Sequence, residues 1–365
     1  MLAYWLLPFL AFWFGLKEKA TSHYSIAGRI RSSNILWLVV GTFVFLLIGY
    51  RHEVGADWTT YAGKVEQQLY LPFLDVFSQK DPAYALLNWL GANWGGGVYL
   101  PNLVCAFLFT LGLVKFCRVL PRPWLALAVA TPYLVTVVAM GYTRQSVAIG
   151  LAMLGIVALI QNKGVLRFVM WVVVAAAFHK SAVILVPLAF FSSRTNRFLV
   201  FFGVLATGSL LYFLLIQEQL DSLQYIYLER QYESAGAAVR VVMNLIPALI
   251  FLFFRSRFPL TESQNKFWTW MALGAVGLGF ALILSPSSTA VDRVALFWIP
   301  MQLFVFAHVP EVFARFGIQR NFTVFILLAY SIAILATWLL ISTHAALAWL
   351  PYQFYPFIWF SSEVL

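Results

Sequence analysis

Residues 35 to 64 read "ILWLVVGTFVFLLIGYRHEVGADWTTYAGK". An uncharged apolar run ends at Tyr50, and Arg51, His52, Glu53, Asp57 and Lys64 follow directly behind it. A helix that is apolar all round has no wet face and belongs in hydrocarbon or in the middle of a large core. The remainder of the chain chooses between the two. Of 365 residues, 62% are hydrophobic and 10% charged, with a mean hydropathy of +0.83, against about 25% charged residues in soluble domains. Similar apolar runs recur near 2–16, 98–114, 124–141, 144–160, 165–178, 180–191, 198–216, 241–254, 267–284, 294–309 and 321–341. With 35–50 they predict an all-α, polytopic transmembrane helical bundle of about twelve segments, some short or broken, because helices must cross about 30 Å of hydrocarbon. Short alternating strands, the mark of a membrane barrel, are missing. The run 165–191 reads either as one long helix or as two hinged at "FHKSA".

The polar segments between the runs differ in charge. One alternate set, "KEKATSHYSIAGRIR", "KFCRVLPRP", "QNKGVLR", "SSRTNR", "RSRFPLTESQNK" and "EVFARFGIQR", holds 16 of the 24 Lys and Arg residues and only 3 of the 14 acids. The positive-inside rule places that set in the cytoplasm and the other set outside. Loops 51–97 and 217–240 and both termini are then outward, on a single integral membrane domain spanning 1–365. The first 16 residues lack a basic start and a small-residue cleavage site, so they read as a retained membrane segment. Cys105 and Cys117 stand twelve positions apart in or beside one apolar run, about 18 Å along a helix, which argues against a disulfide or a zinc site. The basic residues lie singly or in pairs between apolar runs, a pattern of topology and not of nucleic-acid binding.

Four arginines depart from the charge bias. Arg51, Arg144, Arg240 and Arg293 all fall at outward helix ends, and the last three open a helix. Ionisable groups at such depth are candidates for function. Helix N-termini and guanidinium forks both favour phosphate, so these arginines with Lys180 are candidates for binding a pyrophosphate. Taken singly, each could instead snorkel to headgroups or pair locally, as Arg293 could with Asp292. His179, beside Lys180 and Ser181 in an apolar run, is a candidate donor or general base, although a lone histidine on such a face is usually a packed core residue. Glu53 and Asp57, spaced i, i+4, share a face if the helix continues past Gly55, and with Asp292 they are the candidate carboxylates. Trp58, Tyr61 and Tyr142 could stack on sugar rings or anchor in the interfacial belt. The chain has no Asp-x-Asp pair, phosphate-binding glycine loop, H-E-x-x-H, G-x-S-x-G or C-x-x-C, so an enzyme here is expected to need neither metal nor cofactor.

In order, "YRHEVGADWTTY", "DPAYALLNWLGANW", "YTRQSVAIGLAMLG", "FHKSAVILVPL", "VRVVMNLIP" and "VDRVALFWIP" resemble the EpsG family of Wzy-like polysaccharide polymerases. The resemblance implies a GT-C-like glycosyltransferase that joins undecaprenyl-pyrophosphate-linked oligosaccharide units on the outer face of a bacterial inner membrane. It further implies two lipid-linked substrates and a chain-length regulator as partners. The polar family positions match best at Gly55, Asp57, Arg144, His179 and Arg293, and more loosely at Glu53. Two other classes compete with this reading. A flippase or secondary transporter would use the broken segments, and an outer-face acyltransferase would need only His179.

Overall fold

The computed structural model describes residues 1–19, 34–188, 236–285 and 288–362, with the isolated positions 202, 205, 206 and 209. The expected helix at 198–216 and most of the loop 217–240 lie outside these. The described residues make an all-α integral membrane protein. Its helices are α1 (Leu2–Lys17), α2 (Asn34–Gly49), α3 (Trp58–Gln67), α4 (Pro82–Asn93), α5 (Tyr99–Arg118), α6 (Pro123–Ala130), α7 (Thr143–Ile160) and α8 (Val165–Phe178). After these come α9 (Ala237–Phe254), α10 (Glu262–Leu284), α11 (Ser288–Ala295), α12 (Ile299–Ala314), α13 (Arg320–Ile341), α14 (Thr343–Ala348) and α15 (Tyr355–Ser362). Among the described residues, six helical stretches are long and apolar enough to cross a membrane, and four shorter apolar ones accompany them: 2–17, 34–49, 123–139 and 165–178.

The expected segments coincide closely with these helices, and the ambiguity at 165–191 resolves as a break. His179 adopts φ −155°, ψ 107°, an extended conformation that stops α8, and a tight 3-10 turn over Lys180–Leu185 follows. A helix so interrupted frees backbone groups, which must find partners elsewhere in the protein.

Burial sorts the helices into layers. The apolar window of α7 is 89% enclosed and that of 288–314 is 83%, whereas those of α10 and α13 are 28% and 33%. The first two form the centre of the bundle and the others face lipid. The centre closes because α5 and α7 cross almost backbone to backbone. A Cβ on Gly112 would lie 1.9 Å from the carbonyl oxygen of Gly150, and one on Gly150 would lie 2.5 Å from Phe109 Cα. In hydrocarbon, where apolar burial gives little drive, such small-residue contacts let helices gain dispersion and close packing. Both cysteines are buried in α5 as free thiols.

At one end of the bundle the chain folds back on itself. Strand β1 (Arg51–His52) pairs antiparallel with β2 (Gln353–Phe354). Tyr4 donates to the carbonyl of Trp349 at 2.6 Å, and Trp349 in turn donates to the carbonyl of Thr136 at 2.8 Å. Thr136 lies in a stretch of wide π-helical turns, Thr131–Ala139, that continues α6. Such turns are rare and gather at functional sites.

The Gly112–Gly150 crossing leads to a stability prediction. Gly150→Val should force the helices apart and lower stability by about 1–3 kcal/mol, as overpacking does. Gly277→Ala in α10, where a Cβ meets nothing within 4 Å, should be neutral or slightly stabilising. Thermal unfolding of the two variants in the same detergent checks the contrast.

Candidate functional site

The sequence from Ile48 to Trp58 is shaped around a buried cation. Arg51 is wholly enclosed. Its Nη1 donates to Ile48 O at 2.7 Å and its Nε to Val54 O at 3.2 Å; Nη2 reaches Asn102 Oδ1 at 3.3 Å and Thr143 Oγ1 at 2.7 Å. Ile48 lies at the C-terminal end of α2, where spare carbonyls and the helix dipole favour positive charge. Among the described residues no carboxylate pairs with Arg51, so dipoles and the Trp58 ring, 5.8 Å away, carry its charge. With these donors spent on the protein and its side chain closed to solvent, Arg51 supports the surrounding groups from beneath. It does not line a pocket with the other arginines.

The same geometry separates the expected carboxylate pair. Helix α2 ends at Gly49, Glu53 takes a left-handed φ of 51°, and Gly55 has φ +105°. The Gly55 position cannot hold a side chain, because a Cβ would lie 2.4 Å from Met140 O. Glu53 and Asp57 therefore share no helical face. Glu53 is exposed and lies 3.9 Å from His52 Nε2. Asp57 is half-buried at the start of α3 and makes no side-chain cap there.

Asp81 is the residue that sequence reasoning passed over. It stands before Pro82 at the head of α4, a position that reads as a helix cap, yet its side chain makes no cap bond. One oxygen instead accepts from Arg144 Nη1 at 2.6 Å and the other from the backbone N–H of Lys180 at 3.3 Å. A single buried carboxylate thus ties the heads of α4 and α7 to the break after α8. Arg144 lies over the Tyr84 ring at 5.9 Å and stays 28% exposed. Lys64 lies near enough that Arg144, after burial, contributes to lowering its pKa.

Both ring nitrogens of His179 are enclosed and have no hydrogen-bond partner among the described residues, and its ring lies parallel to Phe297 at 6.3 Å. Burial pushes its pKa down to about 4; Asp81 pulls it up, and Arg144, Arg293 and Lys80 add to the fall. The imidazole is therefore neutral near pH 7, with one nitrogen able to donate and the other to accept.

Asp292 pairs across the fold and not with its neighbour Arg293. Arg240 grips it at two points, Nε to Oδ1 at 2.5 Å and Nη2 to Oδ2 at 2.7 Å. Such forked pairs are stiff and strong. Arg293 is exposed; its carbonyl accepts from the Gln145 side chain, and no described carboxylate lies within ion-pair range of its guanidinium. Tyr142, at the head of α7, is half-buried. Burial raises its pKa, and the charges of Arg240, Asp292, Asp57 and Arg293 all act on it. Arg293 acts on His179 as well, so it is common to both clusters.

Of the aromatic candidates, Trp58 and Tyr61 are 7% and 4% exposed. They are packed against His52 and Tyr84 respectively, which leaves Tyr142 as the candidate with an accessible surface. Lys180 opens the 3-10 turn and is half-buried.

Taken together, one end of the bundle collects Arg144, Arg293, Lys64, Lys80, Lys180 and a neutral histidine, with Asp81 and Asp292 each already paired. Such a surface suits a multiply charged anion. It also offers Asp57 and His179 for proton transfer. No group of three or more His, Cys, Asp or Glu residues suited to a metal ion occurs among the described residues.

The model of the EpsG family matches residues 34–354, most of the chain. No curated protein and no solved structure matches it.

Two measurements follow from the geometry. Arg51→Ala should leave several buried carbonyl and side-chain acceptors without donors and lower stability by about 3 kcal/mol or more, read as a large drop in Tm. The second concerns His179, whose native pKa of about 4 lies below its ordinary 6.5, so the unfolded chain binds more protons between those values. Its contribution to stability should fall as pH drops from 6.5 and level off below 4. In a pH series of Tm, His179→Phe should flatten that slope.

Proposed function

The chain belongs to the EpsG family of Wzy-like polysaccharide polymerases, and from that premise we propose that it joins lipid-pyrophosphate-linked oligosaccharide units at the end of the bundle that carries Arg144, His179 and Arg293. The observation that supports this most is the pairing pattern. Asp81 and Asp292 occupy Arg144 in part and Arg240 at two points, while Arg293 has no described carboxylate partner and His179 has two idle nitrogens.

In this reading the donor's pyrophosphate lies between Arg144 and Arg293, beside His179, with Lys180 and Lys80 adding charge. Arg51 and Arg240 hold the frame. A hydroxyl of the acceptor sugar attacks the donor's anomeric carbon, a new C–O bond forms, and the bond to the pyrophosphate oxygen breaks. The lipid pyrophosphate departs with the electron pair, and the hydroxyl proton passes to a base. Charge grows on the leaving pyrophosphate, so guanidiniums already aimed at it lower the barrier without reorganising. Neutral His179 donates a hydrogen bond to the same oxygens. Asp57 is the base, because Asp292 is locked by Arg240 and Glu53 points away into solvent.

The charge bias of the loops supports a periplasmic site on a protein of the bacterial inner membrane, with undecaprenyl pyrophosphate as the carrier. A chain-length regulator would then meet the same face. The protein is proposed to work without a metal: arginines and a neutral histidine supply what a cation would. Sugar rings would lie along Tyr142.

Purified protein in liposomes with a lipid-pyrophosphate oligosaccharide tests the proposal. Wild type should give a ladder of products. Arg293→Ala and Asp57→Asn should each lower turnover about 10²–10³-fold at unchanged Tm. Movement of intact lipid-linked substrate across the bilayer without any ladder would replace this reading with transport.

A further inference from the structure

The segment between α3 and α4 is built inside out for a chain in water. Over Gln68–Tyr70 and Phe73–Ser78 the backbone makes two short 3-10 turns. Its amides turn inward: Gln68 is 6% exposed and exchanges side-chain hydrogen bonds with Gln79 at 3.1 and 3.4 Å. Its large apolar side chains turn outward. Tyr70 is 89% exposed and Leu74 79%, with Leu69, Phe73 and Phe77 about half exposed beside them. Single exposed apolar residues are ordinary, but a contiguous group of this kind marks a surface that is covered in use.

The arrangement is held firmly, so it is no accident of a loose loop. Trp89 of α4 donates to Leu71 O at 3.1 Å, and the Phe73 ring meets Trp89 edge-on at 5.1 Å. Val76 is fully enclosed. The outward side chains are therefore presented by a fixed backbone.

We propose that residues 69–77 lie in the lipid interface, seated in the leaflet that adjoins this end of the bundle. Three observations favour lipid over a protein partner. The turns rest on α4, which packs against α5 and α8, and α8 exposes Leu166, Met170 and Val173, so the patch is carried beside a helix whose outer side is itself apolar. The composition, Leu with Tyr and Phe, and Trp94 72% exposed at the far end of α4, matches the aromatic belt found at headgroup depth. Asp75, exposed within the patch, suits headgroup level and would be costly deeper.

The consequence for the site is positional. Asp81 follows two residues after Gln79, so an anchored 69–77 segment fixes the depth of the carboxylate that holds Arg144 and the backbone of Lys180. The inference concerns where the segment lies and stands whichever reaction the site performs.

The test uses Leu74→Cys carrying a nitrobenzoxadiazole label on the full chain in liposomes. The native Cys105 and Cys117 are buried and should not react; unsubstituted protein gives the background. Lipids bearing a nitroxide at the headgroup or high on the acyl chain should quench the label at least twofold more than aqueous iodide does. Quenching by iodide alone would overturn the proposal in favour of a water-facing loop. Quenching by neither would overturn it in favour of a second protein surface, including another copy of this chain.

Discussion

The end of the bundle that carries the site depends on one buried cation. In a membrane protein a fully enclosed guanidinium must have its donors met, because no water is there to meet them. Arg51 does so with the carbonyls of Ile48 and Val54, the amide of Asn102 and the hydroxyl of Thr143. Those four partners belong to the end of α2, the turn behind it, α5 and α7. The bond pattern therefore sets where three helices end relative to one another. The strand that contains Arg51 is covered by Gln353 and Phe354, and the Gly55 N–H donates to Ala348 O at 2.7 Å. This frame fixes the heads of α3 and α7, from which Asp57 and Arg144 project.

Above that frame, charge is distributed by pairing. Asp81 and Asp292 each engage an arginine from another helix, and each pair spans elements far apart in sequence. Buried pairs of this kind add little net stability but fix geometry, since breaking one strands a charge. What stays unspent is then informative. Burial holds the His179 imidazole at a low pKa, and the charges of Arg144 and Arg293 add to the fall. A neutral histidine beside cations can donate to an incoming anion, and the anion would in turn raise its proton affinity. The break after His179 frees the Lys180 N–H, which an unbroken helix would have used in its own ladder, to donate to Asp81 instead.

Much of the fold was legible in the sequence because hydrocarbon demands uninterrupted apolar runs, and those are visible residue by residue. The runs at 35–50, 144–160 and 321–341 match α2, α7 and α13 within a residue. The break inside 165–191 was visible as polar residues in an apolar setting, although its resolution into two pieces needed the backbone. The site was legible only as a set of residue types. Arg51 looked like a ligand-binding arginine because sequence cannot show whether a donor is already used. Asp81 was passed over because an Asp before Pro at the head of a helix is an ordinary capping position, which gives no sign of a distant partner. Asp292 had an arginine next door, yet its partner lay 52 positions away. Glu53 and Asp57 were spaced for a helix that stops at Gly49. Each of these outcomes turns on tertiary pairing, which local spacing does not encode.

The central claim is that Arg144 and Arg293 hold a lipid pyrophosphate beside His179. A cryo-electron microscopy structure of the protein in nanodiscs with undecaprenyl pyrophosphate tests it most directly. The account predicts the two phosphates within hydrogen-bond reach of both guanidiniums and one imidazole nitrogen, with the prenyl chain leaving sideways into the bilayer. Phosphates bound at the opposite, more basic end of the bundle, or Arg293 turned to a phospholipid headgroup with the site empty, would contradict it.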